Sequence, residues 1–162
     1  MSEVLINGTL AFMVPDGFTE MSEAELKQAY QNDNPDRWGC HDKNRHLMLA
    51  VLYHENRGLT KLLSMITSTK DIAGSTNVTM AKVMKPYGYE TKEFFEAEAD
   101  GHKGNGFRYT YRNQGELLDC RTIVFRHKQT FYTLYWYSRK GHAEEHEAIL
   151  NGVLASMRFT GE

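Results

Sequence analysis

The chain has 162 residues, of which 41% are hydrophobic and 25% charged, a composition typical of one globular domain with its own core. The formal net charge of −2 argues against nucleic acid as the main partner, because binding to phosphates requires a surplus of basic residues. The opening residues have neither the basic start nor the apolar run of a signal peptide, and no stretch has the length of a transmembrane helix, so we expect no membrane insertion.

The first residues predict a hairpin followed by a helix. Asn7-Gly8 stands between two short apolar runs and is a strong signal for a tight hairpin turn. Ser22 followed by Glu25 is a capping box, which predicts that a helix begins there. Strands in this part of the chain are expected over residues 4–6, 10–14, 37–42 and 46–54.

Two segments with helical periodicity follow. Apolar residues recur at helical spacing over 59–67, which predicts a helix with Leu59, Leu62, Leu63 and Ile66 on its core face. The period continues over 68–85, but the run from Gly74 to Asn77 weakens a helix in its middle. We therefore expect two helical pieces with a break, ended by Pro86.

The second half predicts a series of hairpins and a last helix. The glycine-rich residues 100–106 are expected to form a loop, and Gln114-Gly115 a tight turn. Strands are expected over 89–99, 105–113, 116–127 and 130–137, followed by a helix over 142–157. Residues 1–162 thus form a single domain of the α+β class. The predicted architecture is an α/β/α sandwich, a mainly antiparallel sheet covered by helices on both faces.

Residues 130–139, TFYTLYWYSR, contain five aromatic side chains in ten residues. Alternate residues of a strand face opposite sides, so Phe131 and Tyr135 point away from Tyr132 and Trp136. A platform for stacking bases would expose one aromatic face between Lys and Arg, whereas here both faces are largely apolar and the basic residues lie at the turns. The run therefore predicts a core strand.

A polar stripe crosses the three preceding strands. If Gln114-Gly115 is the turn, Arg112 lies opposite Leu117 and Arg108 opposite Arg121, and one register of the preceding hairpin places Glu96 beside Arg108. The stripe is either a solvated face held by weak cross-strand charge pairs or a docking surface for a carboxylate or an acidic partner. The opposition of two arginines favours the docking surface, because like charges opposite each other are unfavourable unless another group lies between them. The members of the polar stripe are Glu96, Arg108, Thr110, Arg112, Asp119 and Arg121.

The sequence predicts no catalytic residue, no metal site and no cofactor. His142 and His146 share a helix face, but two ligands do not make a site, and solvated histidines are commoner. Cys40 and His41 are adjacent in a strand and point to opposite faces, so they cannot easily form a nucleophile pair. The carboxylates of Glu93, Glu96 and Glu98 are a weak signal for acid–base chemistry. Without a secretion signal, Cys40 and Cys120 are expected to be reduced thiols in a cytoplasm.

Four segments resemble the PsbP-like family, which shares its fold with the Ran-binding Mog-type proteins. These segments are FMVPDGF, GFRYTYRNQGELLDCRTIVF, FYTLYW and ILNGVLASMRF, and together with the order of elements they span nearly the whole chain. The resemblance implies an α/β/α sandwich and a non-enzymatic accessory role, as in photosystem subunits, a nuclear transport factor, bacterial lipoproteins and chaperones of secreted effectors. It carries over no catalytic or binding residue.

The leading hypothesis is a cytoplasmic bacterial adaptor or effector-type chaperone, a monomer or homodimer, that binds another protein. Its expected binding residues are Glu96, Arg108, Arg112, Asp119 and Arg121. The alternative is a small-molecule-binding protein or an unrecognised enzyme with a pocket between sheet and helices, which convergent histidines or carboxylates would favour. A third hypothesis is a structural domain within an assembly.

Overall fold

A computed structural model describes residues 2–30, 36–55, 67–139 and 141–161. Within these ranges the helices are α1 (Glu23–Tyr30), α2 (Thr69–Val83) and α3 (Ala143–Ser156), with a 3₁₀ turn over Lys85–Tyr87. The strands are β1 (Ser2–Ile6), β2 (Leu10–Val14), β3 (Thr19–Glu20), β4 (Arg37–Asp42), β5 (Leu47–Glu55), β6 (Glu90–Ala99), β7 (His102–Asn113), β8 (Glu116–His127), β9 (Thr130–Arg139) and β10 (Arg158–Phe159). The helix predicted over 59–67 lies, except for Thr67, outside the described residues.

The strands form two antiparallel sheets. The larger has seven strands in the order β3-β4-β5-β9-β8-β7-β6, and the smaller has three in the order β1-β2-β10. Two predicted turns explain the tight hairpins: Asn7 and Gly8 both have positive φ, as do Gln114 and Gly115, the geometry of a type I′ turn. The α+β class with a mainly antiparallel sheet is therefore confirmed.

Strand β9 is buried on one face and buried or half-buried on the other, so its aromatic run is a core strand, as predicted. Tyr132 and Trp136 belong to a cluster that also contains Leu150 and Val153 of α3. Phe131, on the other face, belongs to a second cluster with residues of α2, β7 and β8. Each face of the central strands thus has its own apolar cluster.

Helix α2 is one continuous helix, so the prediction of a break near Gly74 is wrong. A capping box starts it: the Asp71 backbone N–H donates to Ser68 Oγ (3.1 Å), and the Ser68 N–H donates to Asp71 Oδ2 (3.3 Å). Packing against the sheet compensates for the weak formers in the middle, where Ala73 is buried against β7 and β8. Among the described residues, no helix has the length and apolar character needed to cross a membrane.

Gly74→Ala should stabilise the protein by about 1 kcal/mol, because alanine is the better helix former and the space where its Cβ would stand is open. Urea denaturation followed by circular dichroism measures the effect. Gly88→Ala is the contrasting control: its surroundings are equally open, but its φ of 70° is left-handed, so this variant should be destabilised. A loss of stability in Gly74→Ala would contradict the prediction.

Candidate functional site

The pairing of β7 with β8 places the central part of the polar stripe as predicted. Arg108 lies opposite Arg121, Thr110 opposite Asp119, and Arg112 opposite Leu117. The two-residue turn at Gln114-Gly115 fixes this register, since a two-residue hairpin loop leaves the strands no freedom to slip. Arg112 itself is exposed near that turn.

Asp119 lies between the two opposed arginines and resolves their repulsion. Its Oδ1 accepts hydrogen bonds from Arg108 Nε (3.0 Å) and Arg121 Nη1 (2.8 Å), and its Oδ2 accepts one from Arg108 Nη2 (2.9 Å). Asp119 is only 3% exposed, so this carboxylate is a buried charge with two cationic partners. Both guanidinium groups are therefore already engaged within the protein.

The ionisation of Asp119 reflects this balance. Burial raises the pKa of the carboxyl group, but hydrogen bonds from Arg108 and Arg121 and the charges of both arginines outweigh burial and lower the pKa below that of an ordinary aspartate. The same hydrogen bond to Asp119 raises the pKa of Arg108. The cluster is consequently ionised at neutral pH.

Glu96 does not lie beside Arg108, so the predicted register of β6 is wrong. Glu93 is the residue opposite Arg108, and Glu96 is opposite Asn105. The expected loop over 100–106 is also wrong: the turn is Asp100-Gly101, and β7 begins at His102. The carboxylate of Glu93 therefore takes the position beside Arg108 that was expected for Glu96.

A cleft of about 480 Å³ opens between β6, β8 and α3. We call it the acidic cleft. Its apolar floor consists of Phe95, Ala97, Ile123, Leu150 and Leu154. Four exposed glutamates also line the cleft: Glu93 on the same face of β6 as Phe95, Glu147 on α3, and Glu96 and Glu98, whose side chains alternate to the other face of the edge strand β6. Within the described residues β6 pairs with β7 alone, so the cleft lies at the edge of the sheet.

The charge of the acidic cleft is negative. Among the described residues that line it, Arg121 is the one cation. Its guanidinium group is shared between Asp119 (2.8 Å) and Glu147 (3.8 Å), which leaves Glu93 as a second carboxylate on this face, with Glu96 and Glu98 along the edge of β6. A cationic ligand therefore fits this cleft better than the carboxylate or acidic partner that the arginines had suggested.

Sequence reasoning missed Glu147. Its signal was the helical spacing of Glu147, Leu150, Asn151 and Leu154, which lie three, four and seven residues along one helix face and all line the cleft. That face combines polar and apolar residues, which distinguishes it from an ordinary core stripe.

Cys40 and His41 do not form a nucleophile pair, as predicted. Burial raises the pKa of the Cys40 thiol to about 12, so the reactive thiolate is not formed at neutral pH. The His41 ring points elsewhere, with its Nε2 3.6 Å from a carboxylate oxygen of Glu25. Cys120 is also a buried free thiol whose pKa burial raises.

Comparison with solved structures shows the fold shared by PsbP-like and Mog-type proteins. Cyanobacterial PsbP from Synechocystis is 13% identical, with a TM-score of 0.70 over 98% of this chain and 92% of that one. LpqN of Mycobacterium tuberculosis, involved in cell envelope biogenesis, is 12% identical, with a TM-score of 0.60 over 94% and 83%. The Ran-binding protein Mog1p of Saccharomyces cerevisiae is 9% identical, with a TM-score of 0.59 over 98% and 94%.

No protein-family model and no curated protein matches the sequence. The predicted resemblance is thus confirmed as a shared fold, and at these identities the likeness concerns the fold alone.

Proposed function

We propose that this chain is a non-enzymatic accessory protein that binds another protein as an adaptor or chaperone, and that the acidic cleft receives a basic amphipathic segment of that partner. The observation that carries the proposal is the apolar floor flanked by Glu93 of β6 and Glu147 of α3. Burial of apolar side chains on the floor supplies affinity, and the carboxylates select Lys and Arg at its margin.

The expected binding residues contribute to this proposal in different ways. Arg121 and Glu96 line the acidic cleft. Asp119 holds the Arg121 side chain in place, and Arg108 in turn binds Asp119. Arg112 lies further along β7 and extends the surface beyond the cleft. Arg108, Asp119 and Arg121 therefore act as a rigid support and wall, and the glutamates make the charged contacts.

The fold supports a protein-binding role by analogy. Mog1p is described as a Ran-binding protein, so this fold can present a surface to another protein. Two of the similar structures come from bacteria. We propose a bacterial cytoplasmic protein, monomeric or homodimeric, because two buried free thiols suit a reducing compartment.

The proposed layering is an α/β/α sandwich. It is supported by the two apolar clusters, one of which contains residues of α2 and the other residues of α3. Strand alternation assigns these clusters to opposite faces of β8 and β9. In this arrangement α3 forms one wall of the acidic cleft and the edge strand β6 forms the other.

The test uses a fluorescent synthetic peptide of leucine and lysine with helical spacing, and a second peptide in which glutamate replaces lysine. Fluorescence anisotropy should show that the lysine peptide binds the wild-type protein and the glutamate peptide does not. Glu93→Lys combined with Glu147→Lys should weaken binding of the lysine peptide about tenfold or more, because it places cations on both walls of the cleft. Binding should also weaken as salt is added.

The matched control carries the same change of charge outside the cleft. Glu90→Lys combined with Glu144→Lys alters the same strand and the same helix at exposed positions that do not line the cleft. This variant should bind nearly as well as the wild type. Equal losses in the two variants would show a general charge effect, and unchanged binding in Glu93→Lys/Glu147→Lys would reject the acidic cleft as the docking site.

A small-molecule ligand is the second candidate, because a cleft of about 480 Å³ is within the range of ligand sites. Such a ligand would be cationic and partly apolar, and would compete with the lysine peptide. Competition by an amphipathic amine such as dodecyltrimethylammonium, at concentrations below its micelle formation, tests this candidate. Tight binding of the amine with no binding of the peptide would favour a small-molecule role.

A further inference from the structure

Three side chains at the start of α3 bring metal-ligating atoms together in a second cavity. We propose that His142, Glu145 and His146 bind a divalent transition-metal ion, with Zn²⁺ the best fit, and that His46 completes the site. Ligand atoms of the first three residues all lie within 4.8 Å of one another. This site is separate from the acidic cleft and goes beyond the docking function.

Helix geometry explains why the three ligands converge. Residues three and four positions apart lie on one face of a helix, so Glu145 and His146 are both neighbours of His142 on that face. The imidazole rings of His142 and His146 are stacked with their centroids 5.4 Å apart. The sequence HAEEH has the spacing H-x-x-E-H, the reverse of H-E-x-x-H, in which two histidines four residues apart bind zinc. Sequence reasoning considered the two histidines and missed Glu145 between them.

The ring of His146 is fixed in an orientation that suits a metal ligand. His146 is 3% exposed, and its Nδ1 is hydrogen-bonded to Ser138 Oγ on β9. The Ser138 hydroxyl is also within 3.5 Å of the backbone oxygen of Arg139, where it can donate. Ser138 then accepts from the Nδ1–H of His146, and the lone pair is on Nε2, the nitrogen that remains for a metal. Histidines that bind metals usually have such a partner on the other nitrogen.

His46 comes to the same cavity from another element. It lies at the end of the β4–β5 turn and lines a space of about 260 Å³ together with His142, Glu145 and His146. A space of that size holds a metal ion and its remaining water ligands. Because His46 is exposed at a turn, its side chain can approach an ion bound to the helix.

The positive side chains of this cavity do not oppose a cation strongly, because each is paired with a carboxylate. Arg45 binds Asp42, and Arg139 binds Glu116. Their guanidinium charges are thus compensated within the protein. Glu145, by contrast, is exposed and contributes its negative charge to the metal ligands.

The ligand set indicates the kind of metal. Two or three imidazoles with one carboxylate suit Zn²⁺ and related transition ions, whereas Ca²⁺ and Mg²⁺ prefer oxygen ligands. Tetrahedral ligands bonded to Zn²⁺ at about 2.1 Å lie about 3.4 Å apart. The three residues can close to that separation because His142 and Glu145 are exposed and free to change rotamer, while His146 stays fixed.

Isothermal titration of the untagged protein with zinc chloride tests the site. The wild type should bind one Zn²⁺ per chain. Glu145→Gln should weaken binding about tenfold or more, as should His142→Asn, because each removes one ligand. His146→Asn is less informative, since the loss of a buried ring bonded to Ser138 can disturb the fold. The exposed Glu145 and His142 keep the test independent of folding.

Two variants serve as matched controls. Glu144→Gln makes the same change on the neighbouring helix residue, and His54→Asn removes an exposed histidine of β5; neither residue belongs to the site. Both should bind Zn²⁺ as the wild type does. The site would be rejected if the wild type bound no zinc, or if Glu145→Gln and His142→Asn bound it as tightly as the controls.

His46→Asn tests the fourth ligand separately. This variant should bind Zn²⁺ more weakly than the wild type. With Co²⁺ bound, the wild type should show the visible absorption of four-coordinate cobalt with three imidazoles, and the variant should show a different spectrum. Unchanged affinity and an unchanged spectrum would exclude His46. The binding of the fluorescent lysine peptide should be the same with and without zinc, so failure of either proposal leaves the other intact.

Discussion

Asp119→Ala should lower the free energy of unfolding by about 3–5 kcal/mol, the largest effect we expect from a single side chain. The substitution leaves Arg108 and Arg121 opposed across two strands with no charge between them. Leaving Arg121 without Asp119 costs more than leaving Arg108 without it, because the Arg121 side chain is only 12% exposed and cannot turn freely to water. Removing one partner from a buried ion pair usually costs this much.

Urea denaturation of the purified variant measures the loss. Glu3→Ala is the matched control, because Glu3 forms an ion pair with Arg158 in which both side chains are at least half exposed. That variant should lose at most about 1 kcal/mol. If Asp119→Ala lowers the free energy of unfolding by less than about 1 kcal/mol, the two arginines do not need Asp119 to avoid each other. The cluster would then not be a rigid support.

The pH dependence follows from the same group. Because the pKa of Asp119 is lower in the folded protein than in an ordinary aspartate, its contribution to stability is complete above about pH 4 and is lost as pH falls through the folded pKa. The stability difference between wild type and Asp119→Asn should therefore shrink below about pH 4. A difference that stays constant from pH 7 to pH 3 would contradict the lowered pKa.

Gly106→Ala should cost about 3 kcal/mol, the second large effect. A Cβ at this position would stand 2.6 Å from the carbonyl oxygen of Thr122 and 2.8 Å from Cζ of Phe95. The first contact is with backbone of the neighbouring strand, so β8 itself would have to shift, and overpacking of this kind is destabilising. Phe95 belongs to the floor of the acidic cleft, so the variant should also bind the lysine peptide more weakly.

Thermal unfolding compares this variant with Gly152→Ala. Gly152 lies in α3, and apart from its chain neighbours and the helix's own backbone no described atom lies within 4 Å of the added Cβ, so its replacement should be neutral or slightly stabilising. If Gly106→Ala is as stable as the wild type, β7 and β8 are further apart than the 2.6 Å contact with the Thr122 carbonyl oxygen implies.

Sequence reasoning succeeded where local chemistry determines the structure. Gln114-Gly115 fixed the β7–β8 register, so the opposition of Arg108 and Arg121 was predictable before any coordinates. It failed at Gly104 and Gly106, where glycine was taken as a sign of a loop. Both residues lie within β7. Glycine is needed there because Phe125 occupies the space of a side chain at position 104 and Phe95 that of a side chain at position 106. Once those residues were assigned to a loop, the true turn at Asp100-Gly101 was missed and Glu96 was placed wrongly.

The acidic cleft was beyond prediction for a different reason. Glu93 comes from β6 and Glu147 from α3, so their grouping depends on where the helix packs on the sheet. That placement results from the burial of Leu150 and Val153 among residues of several strands, and no local signal encodes it. The H-x-x-E-H spacing is the opposite case: it is local and was available in the sequence alone.

The small sheet joins residues from the two ends of the described chain, which affects how the protein matures on the ribosome. Strand β2 pairs with β1 and with β10, where Arg158 lies opposite Ala11 and Phe159 opposite Leu10. One side of β2 therefore has no partner strand until residues 158–159 have been synthesised and released from the exit tunnel. While residues 15–157 are being synthesised this edge of β2 stays open, and chaperones and neighbouring nascent chains compete for such an open strand edge.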